Sequence, residues 1–180
     1  MIEEKLELLQ ITDDRLKVAP KEFDFDSHDA KEYSSVLMRK MIELGGVGLS
    51  ANQVGLDMKV FTMGIKHPDS GEELRRTLFN PVLIAVGNEQ AVIKEGCLSI
   101  PGLYLHVKRP TECTMTYTNE EGEEKTETYR GIAARVALHE FDHMLGRNFM
   151  HRVSKFKLNR AMTALEKKVN KFNRGQSNVR

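Results

Sequence analysis

Two histidines stand four residues apart in the stretch HEFDH, from His139 to His143, with Glu140 beside the first. On a helix this spacing is one turn, so both imidazoles face the same way and can chelate one ion. Glu140 falls on nearly the same face, within reach of a water beside that ion. The pattern is short and arises by chance, so a histidine pair that serves only the core or the surface is the plain alternative. The setting argues against it: the surrounding GIAARVALHEFDHMLG is apolar and rich in alanine, which implies burial. Two buried imidazoles and two carboxylates need partners, and a cation supplies one. A catalytic site of this kind takes a third protein ligand and keeps one position open for water. Cys97, His106, His151 or a carboxylate could be that ligand, and periodicity does not choose among them. Cys97 lies in EGCLSIPG, where Gly96 lets the backbone approach closely and Pro101-Gly102 turns the chain. The plain alternative for Cys97 is a buried, inert thiol.

The elements that must position these groups follow from pattern. Residues 1–25 read as an extended arm, since KVAPKEFDF carries a proline and no helical period. DSHDAKEYSSVLMRKMIELGG reads as a helix, capped by Asp26 or Ser27, with Asp29 and Glu32 at its positive end. Tyr33, Val36, Leu37, Met41 and Leu44 recur at helical spacing, and Gly45-Gly46 stops the run. MKVFTMGI reads as a strand, KHPDSGEELRR as a polar loop, and TLFNPVLIAV and QAVIKEGCLSI as further strands. CTMTYTNEEGEEKTETY alternates on both arms and reads as a hairpin turning near Glu121-Gly122. Cys113 is expected to be a small strand residue. On the HEFDH helix, Ile132, Val136, His139, Glu140 and His143 share a face, and Gly146 is a natural stop. Asp142 points elsewhere and is expected to be structural, pairing with Arg109 or holding a ligand in place. A last amphipathic helix places Leu158, Met162, Leu165, Val169 and Phe172 on one side. Strands clustered before a late helix indicate an α+β fold: antiparallel sheets around the central HEFDH helix, with an N-terminal and a C-terminal helix. Residues 1–172 are expected to form one domain and 173–180 a frayed tail.

The chain has 180 residues, 40% hydrophobic and 29% charged, which suits one soluble domain with a sizeable core. No apolar run approaches the ~18 residues that span a membrane, so no membrane association is expected. MIEEKLELLQ is acidic and unlike a secretory signal or transit peptide, which points to a cytoplasmic protein or a processed form. Two cysteines, Cys97 and Cys113, would make an unusual disulfide framework in a chain this long. Net charge is +1, yet residues 152–180 hold nine Lys or Arg against one acid, Glu166, a local charge of +8. Such a helix is ordinarily a solvated face. The alternative is attraction to RNA phosphates, hence a ribosome contact without sequence-specific nucleic-acid recognition.

Three stretches taken in order resemble peptide deformylase: GVGLSANQVG (Gly46 to Gly55), EGCLS (Glu95 to Ser99) and HEFDH with Gly146 after it. Each alone is weak to moderate; all three, in order and at matching separations, are highly specific. The similarity extends from the first helix to the last. The resemblance implies hydrolysis of the N-formyl group from chains beginning with formyl-methionine. It implies that Cys97, His139 and His143 ligate one metal ion. Glu140 would be the acid/base residue. The Gln53 amide and the backbone N–H of Leu98 would face the developing oxyanion. Val47 and Gly48 would pair with the substrate backbone, and Ile93, Glu95, Gly96, Ile132 and Val136 would line the substrate groove and the methionine pocket. Ferrous iron is the implied ion, with zinc, nickel or cobalt as substitutes. Four positions depart from the usual family pattern: Ser50 for the first of two alanines, Leu138 for a glutamine, Met144 for a leucine, and Tyr104 where many members carry arginine and others tyrosine. None removes a ligand or a catalytic group. A metalloendopeptidase uses the same HExxH logic, usually with a histidine or carboxylate as third ligand. A binding module with a purely structural metal would need neither Glu140 nor Gln53.

Overall fold

The computed structural model describes residues 6–66, 71 and 73–177. After an N-terminal arm come helix α1 (Ala30–Glu43) and strands β1 (Gly48–Ser50), β2 (Val60–Lys66), β3 (Glu73–Val86), β4 (Gln90–Cys97), β5 (Ile100–Pro110), β6 (Glu112–Thr118) and β7 (Glu124–Arg130). Helices α2 (Gly131–Met144) and α3 (Lys155–Ser177) follow. One sheet has five antiparallel strands in the order β1-β2-β3-β6-β7; β4 and β5 form a separate antiparallel pair. The fold is α+β. Among the described residues, no helix is long and apolar enough to cross a membrane.

Helix α2 touches strands of both sheets. Its Ala134, Ala137 and Leu138 pack with Phe61, Met63, Leu78 and Met115 of the larger sheet in one apolar core. The alanines matter because they let the helix axis approach the sheet closely. A second core joins α1 to the other part of that sheet through Leu37, Met41, Leu49 and Phe79, with Phe23 of the arm. A third sets Leu103, Leu105 and Val107 of β5 against Leu158, Met162 and Leu165 of α3.

Several elements differ from the sequence expectation. Asp29, not Asp26 or Ser27, caps α1, accepting from the N–H groups of Lys31 (2.9 Å) and Glu32 (3.3 Å). The earlier residues form a turn instead, in which Asp24 accepts from the Asp26 N–H and the Ser27 hydroxyl. Strand β3 begins at Glu73, inside the stretch expected to be a loop; residues 67–70 and 72 of that loop lie outside the described residues. The chain after Cys97 turns at Leu98-Ser99 and not at Pro101-Gly102, which lie within β5. The β5 strand itself, buried and exposed in strict alternation from Leu103 to Arg109, carries no expectation from sequence, nor does β1. Helix α3 continues to Ser177 through residues assigned to a frayed tail, while 178–180 lie outside the described residues. Its contacts with β5 come from its first half, through Leu158, Met162 and Leu165, whereas Val169 and Phe172, though on the apolar side, are exposed.

The arm is stitched to the site loops. Leu9 N–H donates to the carbonyl of Gln53 and Ile11 N–H to that of Ser99, both at 2.8 Å. It then passes over the end of α2, where Gly146 has φ +64° and a Cβ would lie 2.6 Å from the Val18 carbonyl carbon.

Candidate active site

Cys97 ends β4, and the tight turn that follows aims its thiol at α2. His139 and His143 sit one turn apart on α2. The ligand atoms of these three residues lie within 4.8 Å of one another, and they form the one His/Cys/Asp/Glu cluster of metal-ligating geometry among the described residues. Cys97 Sγ is 3.6 Å from His143 Nε2. His106 lies exposed on β5, and His151 is engaged in a turn with Asn148. Of the four candidates weighed for a third ligand, Cys97 is therefore the one brought to the histidine pair.

Around this cluster is a buried network of ions. His139 Nδ1 lies 3.0 Å from Glu95 Oε2, which leaves the other ring nitrogen for the cluster. Glu95 also accepts from Arg109 Nε (2.7 Å) and Nη2 (3.0 Å) and from Arg135 Nη1 (2.8 Å). Arg109 Nη1 donates to Asp142 Oδ2 (2.8 Å) and to the Leu138 carbonyl (3.2 Å). Arg152 completes the chain by pairing with Asp142. Glu95, Arg109, Arg135 and Asp142 are all buried. Burial works against both carboxylates. Hydrogen bonds from His139, Arg109 and Arg135 to Glu95, and from Arg152 to Asp142 with the added charge of Arg109, overcome it, so both stay well below the usual carboxylate range.

The histidines are driven apart. Burial disfavours a charged His139, yet hydrogen bonding to Cys97 and Glu95 and the charge of Glu140 push it up to about 10. Burial and the neighbouring His139 push His143 down to about 3. Burial thus keeps His143 neutral, with a lone pair available beside the Cys97 sulfur and the second imidazole. A divalent cation held there would compete with protons for the same atoms. The donor set, one sulfur and two imidazoles, fits a catalytic transition metal.

Glu140 is buried, and burial raises its affinity for a proton. Its Oε2 accepts from the Ser50 hydroxyl at 2.7 Å. On its other side the chain is bare: a Cβ on Gly48 would come within 2.4 Å of Glu140 Oε1. Gln53 is held by the same loop. Its Oε1 accepts from the Ser50 N–H (3.0 Å), so its amide nitrogen faces Cys97 Sγ (3.3 Å) and Ser99 Oγ (3.1 Å). Ser50 thus anchors two groups at once, the carboxylate through its hydroxyl and the amide through its backbone. The sequence flagged Ser50 only as a departure; a hydroxyl in place of alanine next to a buried carboxylate was the available signal. Arg135 and the arm's bonds to the loops were missed, and neither leaves a local pattern.

A cleft of about 690 Å³ opens onto these groups. Val47, Gly48, Gly96, Leu98, Ile132 and Val136 line it, as do Gln53, Cys97, His139 and Glu140. Two expected wall residues behave differently. Ile93 is not among the lining residues, because it lies two positions, roughly 7 Å, farther along β4 from Glu95. Glu95 reaches the wall, but its oxygens are consumed by His139 and the two arginines, so it supports a ring and offers no free carboxylate.

A sequence profile described as polypeptide deformylase matches residues 5–159. The chain belongs to this family. The family consists of metal-dependent hydrolases that remove N-formyl groups from newly made peptides. A peptide deformylase of Bradyrhizobium sp. (strain ORS 278) is 33% identical over 164 residues, covering 89% of this chain and 94% of that relative. A crystal structure of a peptide deformylase from Synechococcus elongatus in complex with actinonin superimposes with a TM-score of 0.80 at 29% identity, covering 88% of this chain and 86% of that one. That of a probable peptide deformylase from Synechococcus phage S-SSM7 gives 0.73 at 30% identity, covering 82% and 99%. The family match ends in the first turns of α3, so most of the basic C-terminal helix lies beyond it.

The Glu95–His139 contact has a measurable consequence. Glu95→Gln keeps the shape but loses the charge that orients and enriches the imidazole. Metal affinity, measured by competition with a chromogenic chelator, is expected to fall about tenfold to a hundredfold; unchanged affinity would contradict this role.

Proposed function

We propose that this chain removes the N-formyl group from formyl-methionine at the start of newly made polypeptides, releasing formate, with Cys97, His139 and His143 as ligands of one metal ion. The observation that carries this reading is the convergence of that ligand set with Glu140 and the Gln53 amide on one cleft wall. We assign ferrous iron as the physiological ion, with zinc, nickel or cobalt as substitutes, one per chain. A bound cation of this kind supplies Lewis acidity, lowering the pKa of an adjoining water from ~15.7 towards 7.

The chain's own groups do the rest. Glu140, raised by burial, takes the proton of the attacking water and passes it to the leaving amine as the C–N bond breaks. Oxygen from water joins the formyl carbon, formate departs, and a free amine remains on methionine. The Gln53 side-chain amide and the Leu98 N–H donate to the carbonyl oxygen as its charge grows. One such donor is typically worth about 3–4 kcal/mol in the transition state. Gln53 starts well placed, because the Ser50 N–H fixes its oxygen away from the reaction. β1 pairs with β2 alone among the described strands, so its other edge is available to Val47 and Gly48 for pairing with an extended substrate backbone. Ile132 and Val136 offer the methionine side chain an apolar wall.

We place the chain in the cytoplasm, beside the ribosomes from which formylated chains emerge. The basic C-terminal helix suits phosphate-rich RNA, so we assign it a ribosome contact. Lys167, Lys168 and Lys171 accompany the exposed Val169 and Phe172 there.

Protein purified without oxygen and loaded with ferrous iron is expected to deformylate formyl-Met-Ala-Ser, and Glu140→Ala to abolish turnover while keeping its metal. Absence of turnover with one ion per chain would overturn the reading. Replacing the three lysines with glutamine is expected to reduce co-sedimentation with ribosomes at low salt; undiminished co-sedimentation would remove the ribosome assignment.

A further inference from the structure

The β4–β5 pair has two faces of opposite character. Leu103, Leu105, Val107 and Arg109 turn inward and are buried. The outward face carries Val92 and Lys94 from β4 and Tyr104, His106 and Lys108 from β5, all exposed. Register places Lys94 opposite His106 and Val92 opposite Lys108. No acidic residue alternates onto this face, so its lysines gather without compensation. Neither Lys94 nor Lys108 has an acidic partner within ion-pair distance among the described residues.

This face begins at the cleft. Lys94 and Tyr104 are both cleft-lining residues. Tyr104 lies across β4 at Gly96, where a Cβ would sit 2.7 Å from its ring. The glycine therefore lets the ring lie flat against the strand. The Lys94 ammonium sits 4.6 Å from the centre of that ring. A cation over an aromatic face is attracted to it and held in place, while its remaining hydrogens stay free to bond. The other charged groups of the cleft wall are already committed: Glu95 and Arg135 pair with each other, and His139 and Glu140 belong to the reaction centre. Lys94 is thus the uncommitted charge at the mouth.

We propose that Lys94, held by Tyr104, selects substrates by charge, favouring formyl-methionyl chains with an acidic side chain shortly after methionine. The inference rests on the deformylase reading and adds a specificity to it. A substrate extended along the β1 edge would leave the cleft past this pair and run onto the outward face, where Lys108 adds a second positive charge. The occupant this face fits is the downstream acidic portion of the substrate itself, since the face is continuous with the site that holds its first residue.

The test compares kcat/KM for formyl-Met-Ala-Glu, formyl-Met-Ala-Gln and formyl-Met-Ala-Lys, all with amidated C-termini, on the ferrous protein at low and high salt. The glutamate peptide is expected to exceed the lysine peptide by about threefold to tenfold at low salt, the range for a partly exposed charge pair gained in one and opposed in the other. The ratio is expected to shrink in high salt, to fall near one in Lys94→Gln, and to invert in Lys94→Glu. Tyr104→Leu, which releases the ammonium, is expected to reduce it with Lys94 intact. A wild-type ratio of one with good turnover of the glutamine peptide would overturn this inference alone, as would a ratio untouched by Lys94→Gln. Failure of the metal-loaded wild type to turn over any of the three would instead overturn the deformylase reading beneath it.

Discussion

Arg109 lies in β5, Glu95 in β4, and Asp142 and His139 on α2; one buried guanidinium joins the two carboxylates. Cys97 belongs to the two-stranded sheet and the histidines to the helix, so the ligand set exists only while these bodies hold a fixed relation. Apolar packing between them is non-directional and would permit sliding. The charged bonds that cross from sheet to helix, Arg109 to Asp142 and Arg135 to Glu95, both at 2.8 Å, do not, and one fork of 2.7 and 3.0 Å fixes Arg109 to Glu95 within the sheet. Removing one member of a buried pair typically costs about 3–5 kcal/mol, a large share of the roughly 5–15 kcal/mol that keeps a domain folded. The same Glu95 that locks the sheet to the helix also accepts from His139, so scaffold and ligand share one carboxylate.

A second constraint acts across the cleft. Glu140 is buried, and a buried carboxylate must be hydrogen-bonded or neutral. Ser50 bonds it from one side, and Gly48 leaves room for it on the other. Because Ser50 also fixes Gln53, acid/base group and amide donor are set by one short loop, and the N-terminal arm anchors that loop and the Cys97 turn together through Gln53 and Ser99. The substrate edge of β1, the sulfur of β4 and the face of α2 thereby meet around one space.

What was legible in the sequence was local periodicity. The alternation of CTMTYT and EKTETY, the helical recurrence from Tyr33 to Met41, and the i, i+4 histidines all describe single elements, and each formed as read. The i, i+4 pattern alone points to Glu140, whereas Cys97 and Gln53 stand out only through the family resemblance of their motifs. Of the two roles the sequence leaves to Asp142, pairing with Arg109 or holding a ligand in place, the first is formed. What escaped were relations between elements. Ile93 is a plausible wall residue by sequence neighbourhood, but two strand positions carry it past the cleft. Glu95 reads as a pocket residue until three partners claim its oxygens. Val169 and Phe172 continue a hydrophobic stripe on α3 after the surface it packs against has ended. Asp29 caps α1 because the helix begins at Ala30, after a turn in which Asp24 holds Asp26 and Ser27.

The most direct test of the account is X-ray absorption at the metal edge of protein loaded with one equivalent of ferrous iron without oxygen. A sulfur from the sheet and two imidazole nitrogens from the helix are expected in one coordination shell, with the sulfur contribution lost in Cys97→Ala. A shell of nitrogen and oxygen alone in the wild type would contradict the convergence of β4 and α2 on one ion.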